Sequence, residues 1–118
     1  MMKPLYWVGS SRKDLKRFPE PVQDVMGRSL LDAQFGAHPD NAKALRGFGG
    51  AGVLEIVEDH DGDTFRAVYT VRFRCAVYVL HAFQKKSRRG CETPRHEIDL
   101  VHERLKAAEA DYLMRTGN

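Results

Sequence analysis

Cysteine is almost absent: Cys75 and Cys91 are the only two in 118 residues. The opening MMKPLYWVGSSRKD lacks the apolar h-region of a secretory signal. Both thiols therefore read as reduced, in a cytoplasmic protein. Two cysteines build a zinc site only with several histidines, and the spacing of His38, His60, His96 and His102 does not supply them. No apolar run approaches the length of a membrane span, so no membrane partner is expected. There is neither a P-loop nor a nucleophile elbow. A large excess of one charge is also missing, with 19 Lys and Arg against 16 Asp and Glu. The length suits one compact domain, residues 1–118, able to bury a core without staples.

What is present is an uneven charge distribution. Residues 53–65 carry Glu55, Glu58, Asp59, Asp61 and Asp63 and no Lys or Arg. Residues 84–96 carry Lys85, Lys86, Arg88, Arg89 and Arg95 against Glu92. The second block begins where an alternating apolar strand, AVYVLHAF, runs out through His81 and Phe83. A solvated basic loop accounts for charge alone. An aromatic followed at once by four cations points instead to a surface that holds a polyanion.

The hydrophobic period divides the chain. PLYWV at 4–8 predicts a short first strand. Ser10 or Ser11 is placed to cap a short helix through Phe18, and Pro19-Glu20-Pro21 ends it and starts another. Val22, Val25, Met26, Leu30 and Ala33 give the second helix one apolar face, ended by Gly36 and His38-Pro39. After a flexible GFGGAG loop at 47–52 the period becomes two. Val53–Asp59 and Thr64–Phe73 are strands joined by the hairpin turn Asp61-Gly62. A second tight turn at Arg74-Cys75 leads into Ala76–Phe83. Thr93-Pro94 then caps a C-terminal helix with Ile98, Val101, Leu105, Ala108 and Tyr112 on one side.

With two-residue turns, Leu54, Ile56, Ala67, Tyr69, Val71, Tyr78, Leu80 and Ala82 share a continuous apolar face, the expected core. The other face carries Glu55, Val68 and His81 in one row and Val57, Arg66 and Phe83 in the next, with Lys85 and Arg72 on the same side. An exposed Phe beside Arg, His, Lys and Glu offers cations for phosphate, a ring for base stacking and a group for proton transfer. The plainer roles are a Glu55–Arg66 pair and a strand histidine satisfied by a neighbouring Thr or carboxylate. Two motif-like segments fail on context. GFGGAG enters a strand instead of opening a helix. Asp59-His60-Asp61-Gly62-Asp63 lacks the glycine and glutamate positions of a calcium loop.

The order of EIVEDHDGDTFRAVYTVRF, CAVYVLHAFQKKS and TPRHEIDLVHERLKAAE, preceded by a helix hairpin and Gly-rich loop, resembles the RelE/ParE toxin superfamily. The similarity runs from about Lys3 to Tyr112 and points to its phage-derived HigB-like branch. It implies an α+β fold: a RelE-like twisted antiparallel sheet with an N-terminal helical hairpin and a C-terminal helix. It also implies a type II toxin that acts as a metal-independent endoribonuclease, without cofactor, cutting mRNA on the ribosome. A cognate helix-turn-helix antitoxin would neutralise it. The alternatives are a ParE-like inhibitor of DNA gyrase and a non-catalytic binding module. On the nuclease reading Arg66 and Lys85 stabilise phosphate charge, His81 is general acid or base, and Glu55 is a second base candidate. Phe83 stacks on a base, while Lys86, Arg88, Arg89 and Arg72 hold the backbone. One departure stands out. The branch commonly has Glu-Leu-Arg where this chain has Glu55-Ile56-Val57, which leaves Arg72 or Arg88 to supply the missing contact.

Overall fold

The computed structural model describes residues 1–50, 52–85 and 93–117. In chain order they form β1 (Leu5–Trp7), α1 (Ser11–Leu15), α2 (Glu20–Gln34), β2 (Ala42–Ala44), β3 (Val53–His60), β4 (Asp63–Thr70), β5 (Val77–Lys85) and α3 (Arg95–Thr116). The sheet order is β1-β5-β4-β3-β2. β1 runs parallel to β5, and every other pair is antiparallel. The α+β class, the helix pair, the meander and the C-terminal helix agree with the sequence reading.

Local chemistry explains most elements. Asp61 and Gly62 both sit at positive φ, 50° and 84°, the backbone that a two-residue hairpin turn requires. α2 buries Val22, Met26, Leu30 and Ala33 along one stripe. Its end is closed by Gly36 at φ 85°, whose N–H bonds the Ala33 carbonyl at 3.0 Å. β2 has no periodic signal in three residues. It forms because Asn41 is held from two sides: its side chain accepts from Ser29 Oγ and its carbonyl from the Val57 N–H.

Two expected caps are not made. Ser10 Oγ donates to Asp14 Oδ2 at 2.7 Å instead of accepting from a helix N–H. Ser11 Oγ donates to the Val79 carbonyl, tying α1 to the sheet. The N-cap of α3 is Pro94, and the Thr93 hydroxyl is used elsewhere.

Both sheet faces are covered. α1 and α2 pack on one, burying Leu15, Phe18, Met26 and Leu30 against Ile56, Phe65, Ala67 and Tyr69. α3 packs on the other, burying Val101, Leu105 and Ala108 against Val68, Tyr78, Leu80 and Phe83. The face that the sequence left open is thus a second core layer.

The cause is a register shift. At the Asp63 end of β4 the expected pairs hold, with Arg66 opposite Phe83 and Val68 opposite His81. Tyr69 then faces Val79, not Leu80, so Leu80 is a bulged residue. Beyond it the faces exchange: Tyr78 and Leu80 join the α3 layer, and Val77 and Val79 the α2 layer. The expected tight turn at Arg74-Cys75 does not pin the register, because β4 ends at Thr70 and a six-residue segment, 71–76, connects it to β5. Thr70 Oγ1 diverts that backbone, donating to the Gly52 carbonyl and accepting from the Arg72 N–H. Among the described residues no helix is long and apolar enough to cross a membrane.

Tyr69 is fully buried in the α2 layer, and its hydroxyl has no hydrogen-bond partner among the described residues. Burial pushes its phenol up to about 12. An unsatisfied buried hydroxyl is a net cost, so Tyr69→Phe is expected to stabilise the protein by about 1 kcal/mol in urea denaturation near neutral pH. The raised folded value means that wild type loses stability as pH climbs from about 10 toward 12. The Phe variant lacks that component, so its advantage should widen there. A variant less stable than wild type at both pH values would contradict this.

Candidate active site

Three neighbouring rows of β3, β4 and β5 point toward α3: Glu55, Val68 and His81; Val57, Arg66 and Phe83; Asp59, Thr64 and Lys85. The first two are the expected rows, because the bulge lies beyond His81, and Lys85 is on the expected side. They bring Glu55, Arg66, His81, Phe83 and Lys85 together, and all five are buried.

Arg66 and Glu55 form a buried ion pair, Nη1 to Oε1 at 2.8 Å. Thr93 Oγ1 donates to the second Glu55 oxygen at 2.6 Å and lies 3.4 Å from Arg66 Nη1. Arg66 Nε is buried with no partner among the described residues. Buried charge is tolerated only when paired, so the pair holds itself in place. His81 lies between two residues of α3. Its Nε2 is 2.8 Å from Glu97 Oε1, and its Nδ1 is 3.5 Å from Arg104 Nη1. Its ring stacks on Phe83 at 4.8 Å between centroids, so Phe83 is not the exposed platform that the sequence suggested. Lys85, opposite Thr64, is buried at the end of β5.

Arg66 also lines a cavity of about 440 Å³ with Asp40, Asn41, Lys43, Val57 and Asp59. That volume is in the range of small-ligand sites. Lys43 pairs with Glu55 across the β2–β3 ladder and brings a second cation to its wall. Arg72 does not join this group. It is exposed beyond β4 and lines a separate cavity of about 320 Å³ with Phe48 and His102. Lys86, Arg88 and Arg89 lie outside the described residues. Among the described residues no cluster of His, Cys, Asp or Glu could hold a metal ion.

Four participants escaped the sequence reading: Lys43, Thr93, Glu97 and Arg104. Lys43 was hidden because β2 is too short to show a period. Glu97 and Arg104 sat on a helix read only for its apolar stripe. Their separation of seven residues, two turns on one face, was the available signal.

The five-stranded sheet, with α1 and α2 on one face and α3 on the other, is a fold shared with a solved RelE toxin. The chain is similar to a mutant of the E. coli toxin RelE in the free state, with a TM-score of 0.53 and 19% identity over 70% of this chain and 82% of that one. It is also similar to a chain of the RelBE2 toxin–antitoxin complex from Mycobacterium tuberculosis, with a TM-score of 0.48 and 17% identity over 74% of this chain and 95% of that one. A search of curated proteins finds no match. The family model described as "Phage derived protein Gp49-like" matches residues 13–106, and the chain belongs to that family.

Breaking the Glu55–Arg66 pair strands one buried charge. Glu55→Ala and Arg66→Ala are each expected to cost about 3–5 kcal/mol, whereas the apolar double replacement Glu55→Leu/Arg66→Met costs less than either. Urea denaturation of the three variants measures this. Additive losses in the double variant would show that the two side chains do not act as a pair.

Proposed function

We propose that this chain is the toxin of a type II toxin–antitoxin pair, an endoribonuclease that cuts mRNA on translating ribosomes and is held in check by a small helix-turn-helix antitoxin. The observation that carries this reading is Arg66: a buried guanidinium whose Nε has no partner among the described residues, on the wall of a cavity, beside a His–Glu pair. A guanidinium presents a fork of donors suited to phosphate. The Thr93 hydroxyl sits between Arg66 and Glu55.

The chemistry is attack of a ribose 2′-OH on the adjacent phosphorus, leaving a 2′,3′-cyclic phosphate and a 5′-OH. Arg66 and Lys85 stabilise the charge that builds on the phosphate oxygens. Proton transfer falls to the His81–Glu97 pair. Phe83 holds the His81 ring by stacking, and Lys86, Arg88 and Arg89 extend the contact along the RNA backbone. No step asks for a cofactor. Fold similarity to RelE and membership in a phage-derived family support the class of protein; the arrangement around Arg66 supports the reaction.

Purified protein added to translating ribosomes should cut mRNA. Arg66→Lys, which keeps the charge but loses the fork, should cut roughly 10²-fold more slowly while remaining folded. Intact mRNA with wild-type protein would sink the nuclease reading. Inhibition of gyrase supercoiling in the same preparation would then favour the ParE-like alternative.

A further inference from the structure

We propose that Glu97 is the residue that takes the proton from the 2′-OH, and that a neutral His81, its tautomer set by Arg104, holds Glu97 in place. This rests on the ribonuclease reading above and assigns the base within it.

Arg104 has only donors and stays charged. Its Nη1 donates to the Leu80 carbonyl at 3.0 Å and approaches His81 Nδ1 at 3.5 Å. Two N–H groups cannot face each other, so Nδ1 presents its lone pair to Arg104. On the other side Nε2 lies 2.8 Å from a carboxylate oxygen of Glu97, which accepts. The proton therefore sits on Nε2. A histidine in this state has no lone pair free to accept a proton, because adding one at Nδ1 would set it against the guanidinium. His81 is thus a hydrogen-bond donor, and its partner is the group able to receive a proton.

The Arg104 site is built from three directions. The Leu80 carbonyl is available because Leu80 is bulged out of the ladder. Nη2 donates to Ser10 Oγ at 3.0 Å, and that hydroxyl is itself turned onto Asp14. Gly9 has φ +56°, and a Cβ there would lie 2.9 Å from Arg104 Nε. Only glycine leaves room for this guanidinium.

Glu97 suits the role better than Glu55. Its side chain is 17% exposed, against 1% for Glu55. Glu55 has both oxygens engaged, by Arg66 and by Thr93. Among the described residues the second Glu97 oxygen meets His96 Nε2, at 3.9 Å, an exposed residue. Glu97 lies in the first turn of α3. It is one turn past Thr93, which touches both Glu55 and Arg66. In the step, O2′ bonds phosphorus as its proton passes to Glu97, the bond from phosphorus to O5′ breaks, and water protonates the departing O5′. Glu97 then returns its proton to solvent.

Three variants separate this from a structural role. Glu97→Gln should cut RNA about 10²–10⁴-fold more slowly, the usual contribution of a general base. It should still bind a 2′-deoxy RNA analogue as wild type does. Glu97→Asp keeps a carboxylate and should retain part of the activity, with a pH–rate profile still rising through an acid limb. His81→Gln preserves a donor at the position of Nε2, so it should cut faster than His81→Ala and keep the acid limb of the wild-type pH–rate profile, a limb that a true acid–base histidine would take with it. Independently of cutting, ¹⁵N spectra of histidine-labelled wild type should show His81 protonated at Nε2 and bare at Nδ1, and Arg104→Gln should mix the tautomers. Near-wild-type cutting by Glu97→Gln, or loss of the acid limb in folded His81→Gln, overturns the proposal. Absence of cutting by wild type, with the His81 tautomer as described, defeats the ribonuclease reading and the base assignment with it, but leaves the Arg104 contact standing.

Discussion

The contact on which most of this molecule depends is that of Arg104 with the bulged residue Leu80. A bulge in the middle of a strand frees a carbonyl that the ladder no longer satisfies. Here that carbonyl accepts from Arg104, and the neighbouring Val79 carbonyl accepts from Ser11 Oγ and the Val8 N–H. A single irregularity in β5 is thereby tied to α3, to α1 and to the segment joining β1 to α1. It also reverses the faces of β5. Tyr78 moves under α3, where its hydroxyl bonds Asp111, and the aromatic residues Tyr6, Phe73 and Tyr112 gather around it. Desolvation and the Asp111 carboxylate push the Tyr78 phenol up, and the same hydrogen bond, together with Arg115, holds the Asp111 carboxyl below the usual range.

Covering the second face has a chemical consequence. Glu55, Arg66, His81 and Lys85 would be well solvated on an open sheet. Under α3 they are withdrawn from water, where ionic and hydrogen-bonded contacts gain strength and unpaired groups become costly. The helix therefore supplies partners as well as a roof: Glu97 and Arg104 to His81, and the Thr93 hydroxyl just before it to Glu55. The plainer roles considered for Glu55 and His81, an ion pair and a satisfied histidine, are present in the structure. They do not compete with function. The ion pair fixes the guanidinium, and the carboxylate that satisfies His81 is the proposed base.

Legibility in the sequence tracked the physical range of each signal. The Asp61-Gly62 turn was readable because two residues carry it, and it fixed the β3–β4 register over its whole length. The α2 and α3 stripes were readable because 3.6-residue periodicity persists over several turns. β2, three residues long, left no pattern. Leu80 could not be identified as a bulge because β5 is apolar on both sides, and slipping an apolar strand by one residue changes no hydrophobic count. The consequences stayed local: Arg66, His81 and Phe83 were correctly placed together, while Tyr78 and Leu80 were assigned to the wrong face. Arg72 was placed beside the site on a strand assumed to continue, but β4 stops at Thr70.

By itself, then, the sequence determined the class of fold, the elements with strong local periodicity and the side chains that share a strand face, because turn chemistry and period act over a few residues. Only the tertiary structure decided how those side chains are employed. Whether Phe83 faces solvent or His81, which nitrogen of His81 carries the proton, and which carboxylate is left accessible all depend on α3. That helix begins 14 residues after His81 and meets it only because the bulge and Gly9 make room for Arg104. No local pattern encodes a contact of that kind. It follows from burying an apolar stripe and satisfying a freed carbonyl in the same step.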